Sequence, residues 1–483
     1  MARGRRHLIV NDIPTSPLLE EARAYYSALL RPVFEGRRFV LPGNIAVGLG
    51  NVASELRGLG AARPFIVAGS RGTGTVPTEA EAALRVLDVR GTDPLDHNRN
   101  VQRALTDLAS EVQDAIDAWD PDRSAKTLHT DPLAEPRPVA GRAAYAARPA
   151  AWTALEDKIV IDAFWDEVGV PRAPSRVVPA EYQALRVAAD ALDRSHGTVW
   201  APDAREGTNA GAVALRWVRP GDDGRAAAAD LARIADRVRV MPFLEGIPAS
   251  IHGVVFPDAV VAFRPVEMLV LRPATGDRLF YAGCSTWFDP RPEDRETMRE
   301  LARRVGIALR ERVGFRGSFG IDGVLAKEGF LPTELNPRLG AGVSTLAGAL
   351  GDFPLVLLCL AIAEGERLDY RPELLERAVL ETADDHRVCG GGRTTERTLT
   401  DTGTFDLVAD GDDYREAEPG EEPEATLLFG PGPIGGFLRL TLNPDRNEPG
   451  PPSAPQAARA FRLADRLLGT DFGELVAARN VRP

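Results

Sequence analysis

Residues 317–342 read GSFGIDGVLAKEGFLPTELNPRLGAG, and this is the most informative stretch of the chain for its fold. It predicts two adjacent strands, 318–326 and 330–335, joined by a tight turn. Antiparallel pairing brings side chains that are distant in sequence within reach of each other. We therefore expect Asp322 on the first strand to face Glu334 on the second.

Polar side chains continue along the second strand and just beyond it. Asn336 lies two residues after Glu334, and alternate residues of a strand share a face, so its amide oxygen joins the two carboxylates. Such oxygens suit a Mg²⁺ ion that holds a polyphosphate, because Mg²⁺ takes few protein ligands and completes its shell with phosphate and water. Arg338 follows, close enough to steady a charged oxygen by a bidentate contact. For the acidic pair alone, an ordinary hairpin with a solvated face is the alternative.

The spacing of these residues is more specific than the acidic pair. Residues 334–338 read E-x-N-P-R, and Glu334 follows the Asp of GxDG by twelve residues. This pattern resembles the metal-binding strands of the ATP-grasp superfamily. The resemblance implies an α/β chain with an ATP-grasp fold, in which two α+β subdomains grip ATP, preceded by a Rossmann-like pre-ATP-grasp domain. It also implies ATP and Mg²⁺ as cofactors, with Asp322, Glu334 and Asn336 as metal ligands and Arg338 as a catalytic cation.

Composition limits the other possibilities. The chain has 483 residues, enough for several subdomains, and its 44% hydrophobic and 27% charged residues are ordinary for a globular protein. Its net charge of −12 argues against a nucleic-acid partner. The longest apolar run, 353–363, is too short to span a bilayer, and the basic start is no signal peptide. We therefore expect a cytoplasmic protein without a membrane partner, and three cysteines without CxxC spacing predict neither disulfides nor zinc.

Lysine is scarce, with only three among the 58 basic residues. One of them, Lys158, lies in a helix predicted over 152–168 and ended by Gly-Val-Pro at 169–171. The Asp157-Lys158 pair before Gly-Val-Pro resembles the segment that opens the ATP-grasp core, where the lysine contacts nucleotide phosphate. The resemblance gives Lys158 this role, which suits a compact point charge. A helical surface lysine is the alternative.

The next informative stretch is 197–218, GTVWAPDAREGTNAGAVALRWV, which predicts two strands around a polar loop. The ATP-grasp pattern there is V-V-K-P, followed by a glycine-rich loop that closes over the phosphates. This chain has Ala201 where the second ATP-binding lysine is expected. Arg205 in the loop is the obvious substitute, with Gly207 beside it as a further nucleotide contact. The alternatives are a solvated loop charge at Arg205, and a nucleotide site that is weakened or lost.

Residues 237–244, RVRVMPFL, alternate as in a strand and resemble the hinge strand that lines the adenine pocket. The resemblance gives Met241 the purine face, and gives Phe243 and Leu244 backbone hydrogen bonds and an apolar wall. Met241 is flexible and polarizable enough for this contact, although the family commonly has Glu there. Taken alone, such a stripe is more typical of core residues.

Three further charged residues are candidates for substrate contact. Glu267 and Arg272 bracket the apolar run of a predicted strand, and both are candidates for recognition of the acceptor substrate. A structural ion pair between them is the alternative. Arg316 follows a helix predicted over 292–313 and precedes the first metal strand. This position predicts contact with a substrate carboxylate or acyl phosphate, which adds Arg316 to Arg338 as a catalytic cation.

The chain divides into four regions on this interpretation. Residues 1–150 form a pre-ATP-grasp α/β domain and linker, in which 101–119 predict one amphipathic helix. Residues 151–245 form the opening helix and lid subdomain, and residues 246–370 form the metal-binding subdomain. Residues 371–483, with acidic and Gly/Pro-rich stretches between short apolar segments, predict a small β-rich C-terminal appendix.

The wider pattern, including VWAPDAREG and RPVEMLVLR, resembles the actinobacterial peptide ligases of the pheganomycin type. That resemblance implies an ATP- and Mg²⁺-dependent, ADP-forming ligase that activates a carboxylate as an acyl phosphate and joins it to an amine in natural-product assembly. The expected partners are small molecules, a carboxylate and the amine of an amino acid or peptide. Many such ligases are dimers, so a homodimer is an expectation from the resemblance alone. Two alternatives stay open: a ligase that loads a carrier protein or thiol, and a degenerate binding protein without turnover.

Overall fold

The computed structural model describes residues 15–131, 136–203 and 214–482. The first unit is a parallel sheet covered by helices. Its elements are α1 (Pro17–Phe34), β1 (Phe39–Ile45), α2 (Gly50–Gly58), β2 (Phe65–Ser70), β3 (Ala83–Val86), α3 (Pro94–Thr106), α4 (Ser110–Trp119), β4 (Lys126–Leu128) and β5 (Ala144–Tyr145). The strand order is β3-β2-β1-β4-β5, and every neighbouring pair is parallel. Helices α1 and α2 cover one face and α3 and α4 the other, which is why β1 and β2 are apolar on both sides.

A smaller antiparallel sheet follows. Its unit contains α5 (Ala150–Thr153), α6 (Ile161–Val168), β6 (Arg176–Pro179), α7 (Tyr182–Leu192), β7 (Thr198–Pro202), β8 (Arg216–Val218), α8 (Arg225–Ile234) and β9 (Arg237–Pro242). The strand order is β6-β9-β7-β8. Leu185 of α7 and Leu231 of α8 pack on Trp200 and Val240 in one core. Because alternate residues of a strand face opposite sides, the neighbouring residues of β7 and β9 point to the other face.

The central sheet carries the hairpin of residues 317–336. Its elements are β10 (Gly246–Val255), β11 (Val260–Ala262), β12 (Val266–Pro273), β13 (Phe280–Ser285), α9 (Pro292–Val313), β14 (Gly317–Ala326), β15 (Gly329–Asn336), α10 (Ala341–Ala349) and α11 (Leu355–Glu364). The strand order is β13-β12-β10-β14-β15, and β11 pairs with β10. Helices α6 and α9 pack on β10 and β14. Helices α10 and α11 share a core with the first unit, so the parallel sheet is fixed against the central one.

The C-terminal segment forms a third antiparallel sheet and returns to the central one. Its elements are α12 (Pro372–Asp385), β16 (Gly391–Thr395), β17 (Gly403–Asp410), β18 (Asp413–Glu416), β19 (Ala425–Pro431), β20 (Gly436–Leu442), α13 (Ala454–Leu468) and β21 (Leu475–Ala477). The strand order of the new sheet is β16-β20-β19-β17-β18. Strand β21 pairs with β12, and α13 packs against both sheets in one core. The C-terminal segment is therefore built into the wall of the central unit.

The predicted fold class is confirmed by a parallel α/β unit, two antiparallel units with helices, and a β-rich C-terminal region. Two predicted helices are corrected. Residues 101–119 belong to two helices, since α3 ends at Thr106 and α4 begins at Ser110. The helix predicted over 152–168 is interrupted, since α5 ends at Thr153 and α6 begins at Ile161. In the described part of the chain, no helix has the length and apolarity that crossing a membrane requires.

Candidate active site

The predicted metal-binding residues meet where β10, β14 and β15 are neighbours. Asp322 lies opposite Glu334 on one side and opposite Ser250 on the other. Ser250 Oγ donates to Asp322 Oδ1 at 2.6 Å, and Asn336 Nδ2 donates to Asp322 Oδ2 at 3.0 Å. The structure therefore brings Asp322, Glu334 and Asn336 together, as the hairpin pattern predicts, and holds Asp322 with two donors.

Lys158 reaches this hairpin from the break between α5 and α6. Asp157 Oδ1 accepts a hydrogen bond from the Ile159 N–H at 2.9 Å, a local turn that competes with a helical backbone. Lys158 is turned inward, and its Nζ lies 2.8 Å from Glu334 Oε1. Its exposed fraction of 9% excludes the alternative of a solvated surface lysine.

The donor set at the hairpin fits a hard divalent cation. Burial raises the pKa of the Asp322 carboxyl, while the Ser250 hydrogen bond and the charges of Arg338 and Lys158 act against that rise. Among the described residues, no group of three or more His, Cys, Asp and Glu side chains is arranged for a metal. The two carboxylates instead suit an ion that takes its remaining ligands from phosphate and water, and the Asn336 oxygen, which accepts a hydrogen bond from Arg338, can join them when that bond opens. The residues present therefore fit Mg²⁺ held jointly with a polyphosphate.

Arg338 is held beside the hairpin by two side-chain partners and by the backbone carbonyl of Leu339. Its Nε donates to Glu156 Oε2 at 3.0 Å, and its Nη2 donates to Asn336 Oδ1 at 2.8 Å. Glu156 also accepts a hydrogen bond from Arg148, so one carboxylate orients two guanidinium groups. With its orientation fixed in this way, Arg338 can neutralise an anion beside the hairpin without first losing side-chain freedom.

A cavity of about 410 Å³ opens between the hairpin and the smaller antiparallel sheet. One group of lining residues is charged or polar: Lys158, Asp322, Glu334, Asn336 and Arg338. A second group is apolar and comes from β7 and from residues 241–244 at the end of β9, called the hinge segment below: Val199, Ala201, Met241, Phe243 and Leu244. Phe243 stacks on Trp217, with ring centroids 4.3 Å apart. A slot with apolar and aromatic walls is the kind of site that binds a flat ring.

The position of the missing second lysine is part of this cavity. Ala201 pairs with Arg239 across β7 and β9, and both line the cavity. The Arg239 guanidinium is already engaged, since Nε and Nη2 donate to the two oxygens of Asp162 and Nη1 donates to a backbone carbonyl. Arg239 is therefore not a free substitute for the lysine. Arg205 and Gly207, predicted as nucleotide contacts, lie outside the described residues.

The prediction that Glu267 contacts substrate is wrong. Its carboxylate is 1% exposed and accepts hydrogen bonds from Ser453 N–H (2.7 Å), Ser453 Oγ–H (2.9 Å) and Ala454 N–H (3.0 Å) at the start of α13. Alternate residues of β12 face opposite sides, so Met268 and Arg272 line the cavity and Glu267 does not. Glu267 therefore caps a helix from a neighbouring strand.

Arg272 lines the cavity, but with a different partner from the expected one. Its Nη1 and Nη2 donate to the two oxygens of Glu245 at 2.8 and 3.1 Å. The alternative of an ion pair with Glu267 is therefore also wrong. The guanidinium carbon lies 4.8 Å from the ring centroid of Phe243, which places Arg272 at the edge of the apolar slot.

Arg316 is also placed differently from the prediction. Its Nε donates to Ala363 O at 2.9 Å and its Nη2 to Glu364 O at 3.0 Å, at the C-terminal end of α11. A cation at this end of a helix satisfies free carbonyls and opposes the helix dipole. Arg316 is absent from the described lining of the cavity. Arg316 instead lines a second, smaller cavity that Arg338 also lines, so its role as a catalytic cation stays a prediction beside its capping of α11.

His252 is a neighbour of the site whose role the pattern of β10 does not reveal. Its Nε2 lies 2.9 Å from Ser250 Oγ, and burial lowers its pKa to about 4, so the ring is neutral. Two glycines make room for it: a Cβ at Gly342 would lie 1.9 Å from His252 Nε2, and one at Gly320 would lie 2.6 Å from Nδ1. Glycine inside a regular helix and strand is the sequence signal for such a close approach. The ring therefore supports Ser250, which in turn holds Asp322.

No family model and no curated protein matches this chain. Among solved structures it is similar to a phosphoribosylamine–glycine ligase from Thermotoga maritima, with 14% identity, a TM-score of 0.48, and 89% of this chain and 96% of that one covered. It is also similar to a carboxyaminoimidazole ribonucleotide synthase from Aspergillus clavatus complexed with ATP, with 13% identity, a TM-score of 0.46, and 89% of this chain and 99% of that one covered. A third similar structure is the biotin carboxylase domain of a Hydrogenobacter thermophilus 2-oxoglutarate carboxylase, complexed with MgADP, ADP and bicarbonate. Its identity is 14% and its TM-score 0.48, with 84% of this chain and 86% of that one covered. At these identities and TM-scores the likenesses establish neither a family nor an activity for this chain.

Proposed function

We propose that this protein is an ATP- and Mg²⁺-dependent ligase of the ATP-grasp kind, which activates a carboxylate as an acyl phosphate and joins it to an amine. The observation that carries the proposal is one cavity lined by the Asp322–Glu334 pair, Asn336, the nearly buried Lys158 and an apolar slot with Phe243. Hard oxygen donors, a cation and a slot for a flat ring are the three parts that a site for a magnesium nucleotide needs.

The nucleotide would lie between the hinge segment and the hairpin. Met241 and Phe243 would contact the base, and Lys158 would contact phosphate. The two carboxylates and the amide of the hairpin would hold Mg²⁺, which when bound neutralises the negative charge of the phosphates. Lys158 Nζ is 2.8 Å from Glu334, so the cation and the metal ligands occupy adjacent positions and act on the same phosphates. Arg205 would complete the charge that Ala201 removes.

The reaction would proceed in two half-reactions. A carboxylate oxygen of the acid attacks the γ-phosphorus, the bond from that phosphorus to the β–γ bridging oxygen breaks, and ADP leaves. The amine nitrogen then attacks the acyl carbon, the bond from that carbon to the phosphate oxygen breaks, and phosphate leaves as the nitrogen loses a proton. No side-chain nucleophile is required, so catalysis depends on positioning and charge neutralisation. Arg338, oriented by Glu156, would neutralise the reacting carboxylate.

The amine is proposed to belong to an amino acid or peptide, in the manner of the natural-product peptide ligases that the sequence resembles. A carrier-protein thiol is the other acceptor that the same acyl phosphate could meet. A binding protein without turnover is a second candidate, and one observation favours it. Ala201 supplies no cation, and within the described residues the cation paired with it, Arg239, is engaged by Asp162.

The test is release of ADP and phosphate from ATP and Mg²⁺, screened over amino acids and short peptides offered as paired acids and amines. A ligase should release ADP with one pair and form a product lighter than the two substrates by one water. Glu334→Gln should lower ADP release by about a hundredfold or more, because it removes a charge next to the transferred phosphate. Glu328→Gln, in the exposed turn of the same hairpin, is the matched control and should have no effect.

Two results would overturn the ligase. Unchanged ADP release by Glu334→Gln would show that the hairpin does not hold the metal. ATP binding by calorimetry, with no ADP release across the whole screen, would favour the binding protein.

A further inference from the structure

The described lining of the cavity contains four arginines, and three of them pair with a carboxylate of the protein. The pairs are Arg239 with Asp162, Arg272 with Glu245 and Arg338 with Glu156. The fourth is Arg393, which lies on β16 of the C-terminal sheet. Arg393 forms no ion pair within the described ranges of the chain. It differs from the other three arginines of the lining, each of which contacts a carboxylate of the protein, although Arg338 shares Glu156 with Arg148.

The contacts of Arg393 orient its side chain without neutralising it. Its Nη1 donates to the backbone carbonyl of Tyr281 at 3.1 Å, and its guanidinium carbon lies 4.6 Å from the ring centroid of Phe280. Burial lowers the pKa of this guanidinium, and in the described part of the chain no carboxylate forms an ion pair with it that would offset the loss of water. A partly buried cation without a carboxylate partner among the described residues is costly for the fold, so the arrangement favours an anion supplied by a ligand.

The wall that carries Arg393 continues to the hairpin. Gly283 of β13 has a φ of +103°, and a Cβ there would lie 2.3 Å from Gly390 O, so the C-terminal sheet packs directly on β13. Tyr281 lines the same cavity. Burial raises the pKa of its hydroxyl, and the charges of Asp322 and Arg338 are near enough to raise and to lower that pKa, respectively. The C-terminal sheet thus contributes a cation to the cavity in which the hairpin residues lie.

We propose that Arg393 binds a second carboxylate of a substrate, one that does not take part in the reaction. The inference rests on the proposed function and narrows its substrates: the acceptor amine is an amino acid or a peptide with a free C-terminus, or the donor is a dicarboxylic acid. A guanidinium group can meet a carboxylate with two hydrogen bonds, which fixes the distance between the anchored group and the reacting one. The C-terminal sheet therefore selects the substrate.

The experiment measures ligand binding by thermal-shift titration of the full chain in the presence of MgADP. The probes are the amino acids, dipeptides and short dicarboxylic acids, each offered as the free acid and as the matching amide or monoamide. In the wild type, at least one free acid should bind about tenfold or more tightly than its amide, as expected for a charge-assisted pair. Arg393→Gln should remove this preference, and Arg393→Lys should keep part of it because the charge remains.

The matched control is Arg439→Gln, since Arg439 is exposed on the neighbouring strand β20 opposite Gly392. It should leave the preference intact. A preference in the amino-acid and dipeptide series would identify the anchored carboxylate as the acceptor's, and one in the dicarboxylic series as the donor's. The unliganded melting temperature of each variant shows whether the fold is retained, and Arg393→Lys supplies the answer if Arg393→Gln does not fold.

Three outcomes would overturn the inference: no free acid preferred by the wild type, a preference retained by Arg393→Gln, or loss of MgADP binding in that variant. Failure of the inference and failure of the ligase are distinguishable. A wild type that prefers free acids through Arg393 but releases no ADP would refute the ligase alone. ADP release together with an acid preference that does not depend on Arg393 would refute the inference alone.

Discussion

Replacement of Glu267 by glutamine should change, in a pH-dependent way, how firmly helix α13 is attached to the central sheet. The carboxylate reaches from β12 to Ser453 and Ala454 at the start of the helix. Burial raises its pKa from an ordinary 4.5 to about 7, although the hydrogen bonds from these two residues act in the opposite direction. Loss of water therefore outweighs the favourable position at a helix N-terminus.

The sign of the pH effect follows from this raised pKa. In the unfolded chain the carboxyl loses its proton near pH 4.5, and in the folded protein it keeps the proton to about pH 7. Its contribution to stability is therefore fully present below pH 4.5 and is lost as the pH rises to 7. The complete loss corresponds to roughly 3 kcal/mol, at about 1.4 kcal/mol per pKa unit. The neighbouring thiols of Cys284 and Cys389 have pKa values raised to about 12, so they do not titrate in this range.

Glutamine has no proton to lose and keeps a carbonyl oxygen for the backbone donors. The stability of the wild type relative to Glu267→Gln should therefore fall by roughly 2–3 kcal/mol between pH 5 and pH 8. Hydrogen exchange of the segment 454–468 measures the free energy of local opening in both proteins at the same pH. The ratio of their protection factors should change by about 30- to 150-fold across this range. A ratio that stays constant would refute the assignment of a desolvated, titrating carboxyl to this position.

Three further outcomes are expected. Lys158→Met should lower kcat/KM for ADP release by about a hundredfold or more in steady-state kinetics, because it removes the cation that contacts phosphate. Lys327→Met, in the exposed turn of the hairpin, is the control and should leave kcat/KM unchanged. Equal effects of the two substitutions would contradict the phosphate contact. Gly342→Ala should destabilise the protein by about 1–3 kcal/mol in thermal unfolding, because its Cβ would lie 1.9 Å from the His252 ring. Gly348→Ala on the same helix, with its nearest neighbour 3.8 Å away, should be neutral or stabilise by up to about 1 kcal/mol, and similar results for both would argue against a fixed ring. Removal of Mg²⁺ with EDTA should abolish ADP release and added Mg²⁺ should restore it, whereas release that survives EDTA would exclude a divalent ion.

Local patterns were sufficient for the parts of the site that depend on neighbouring residues. The hairpin follows from two alternating strands and a short turn, but its register at the site does not: a one-residue shift between Asp322 and Gly323 places Asp322 opposite Glu334, whereas the turn alone would pair it with Thr333. The helix predicted over 292–313 coincides with α9 (Pro292–Val313), which has proline in its first turn and Gly314 in the left-handed region at its end. Such signals act over a few residues and can be recognised without the tertiary fold.

The incorrect predictions concern residues whose contacts are decided by tertiary packing. Glu267 and Arg272 are five positions apart on one strand, so strict alternation already places them on opposite faces. The pattern does not show which face meets the cavity, because α13 lies far along the chain. The contact of Arg316 with α11 was not predicted for the same reason, since the end of that helix is a tertiary neighbour. The break at Lys158 was missed because apolar periodicity continues through it while the Asp157 side chain forms a local turn.

The pairing of β21 with β12 has a consequence for folding. Leu271 meets Ala477 across this edge, so the contact closes a loop of about 200 residues, and its entropic cost must be met before the pairing stabilises anything. Until then residues 271–273 of β12, which extend beyond its pairing with β10, have unpaired backbone groups on that side, and such groups are a template for pairing with another chain. The strand exposed during this interval is the one that carries Arg272 into the cavity. The cavity wall at Arg272 is therefore completed only when the C-terminal segment returns to β12, late in the folding of the chain.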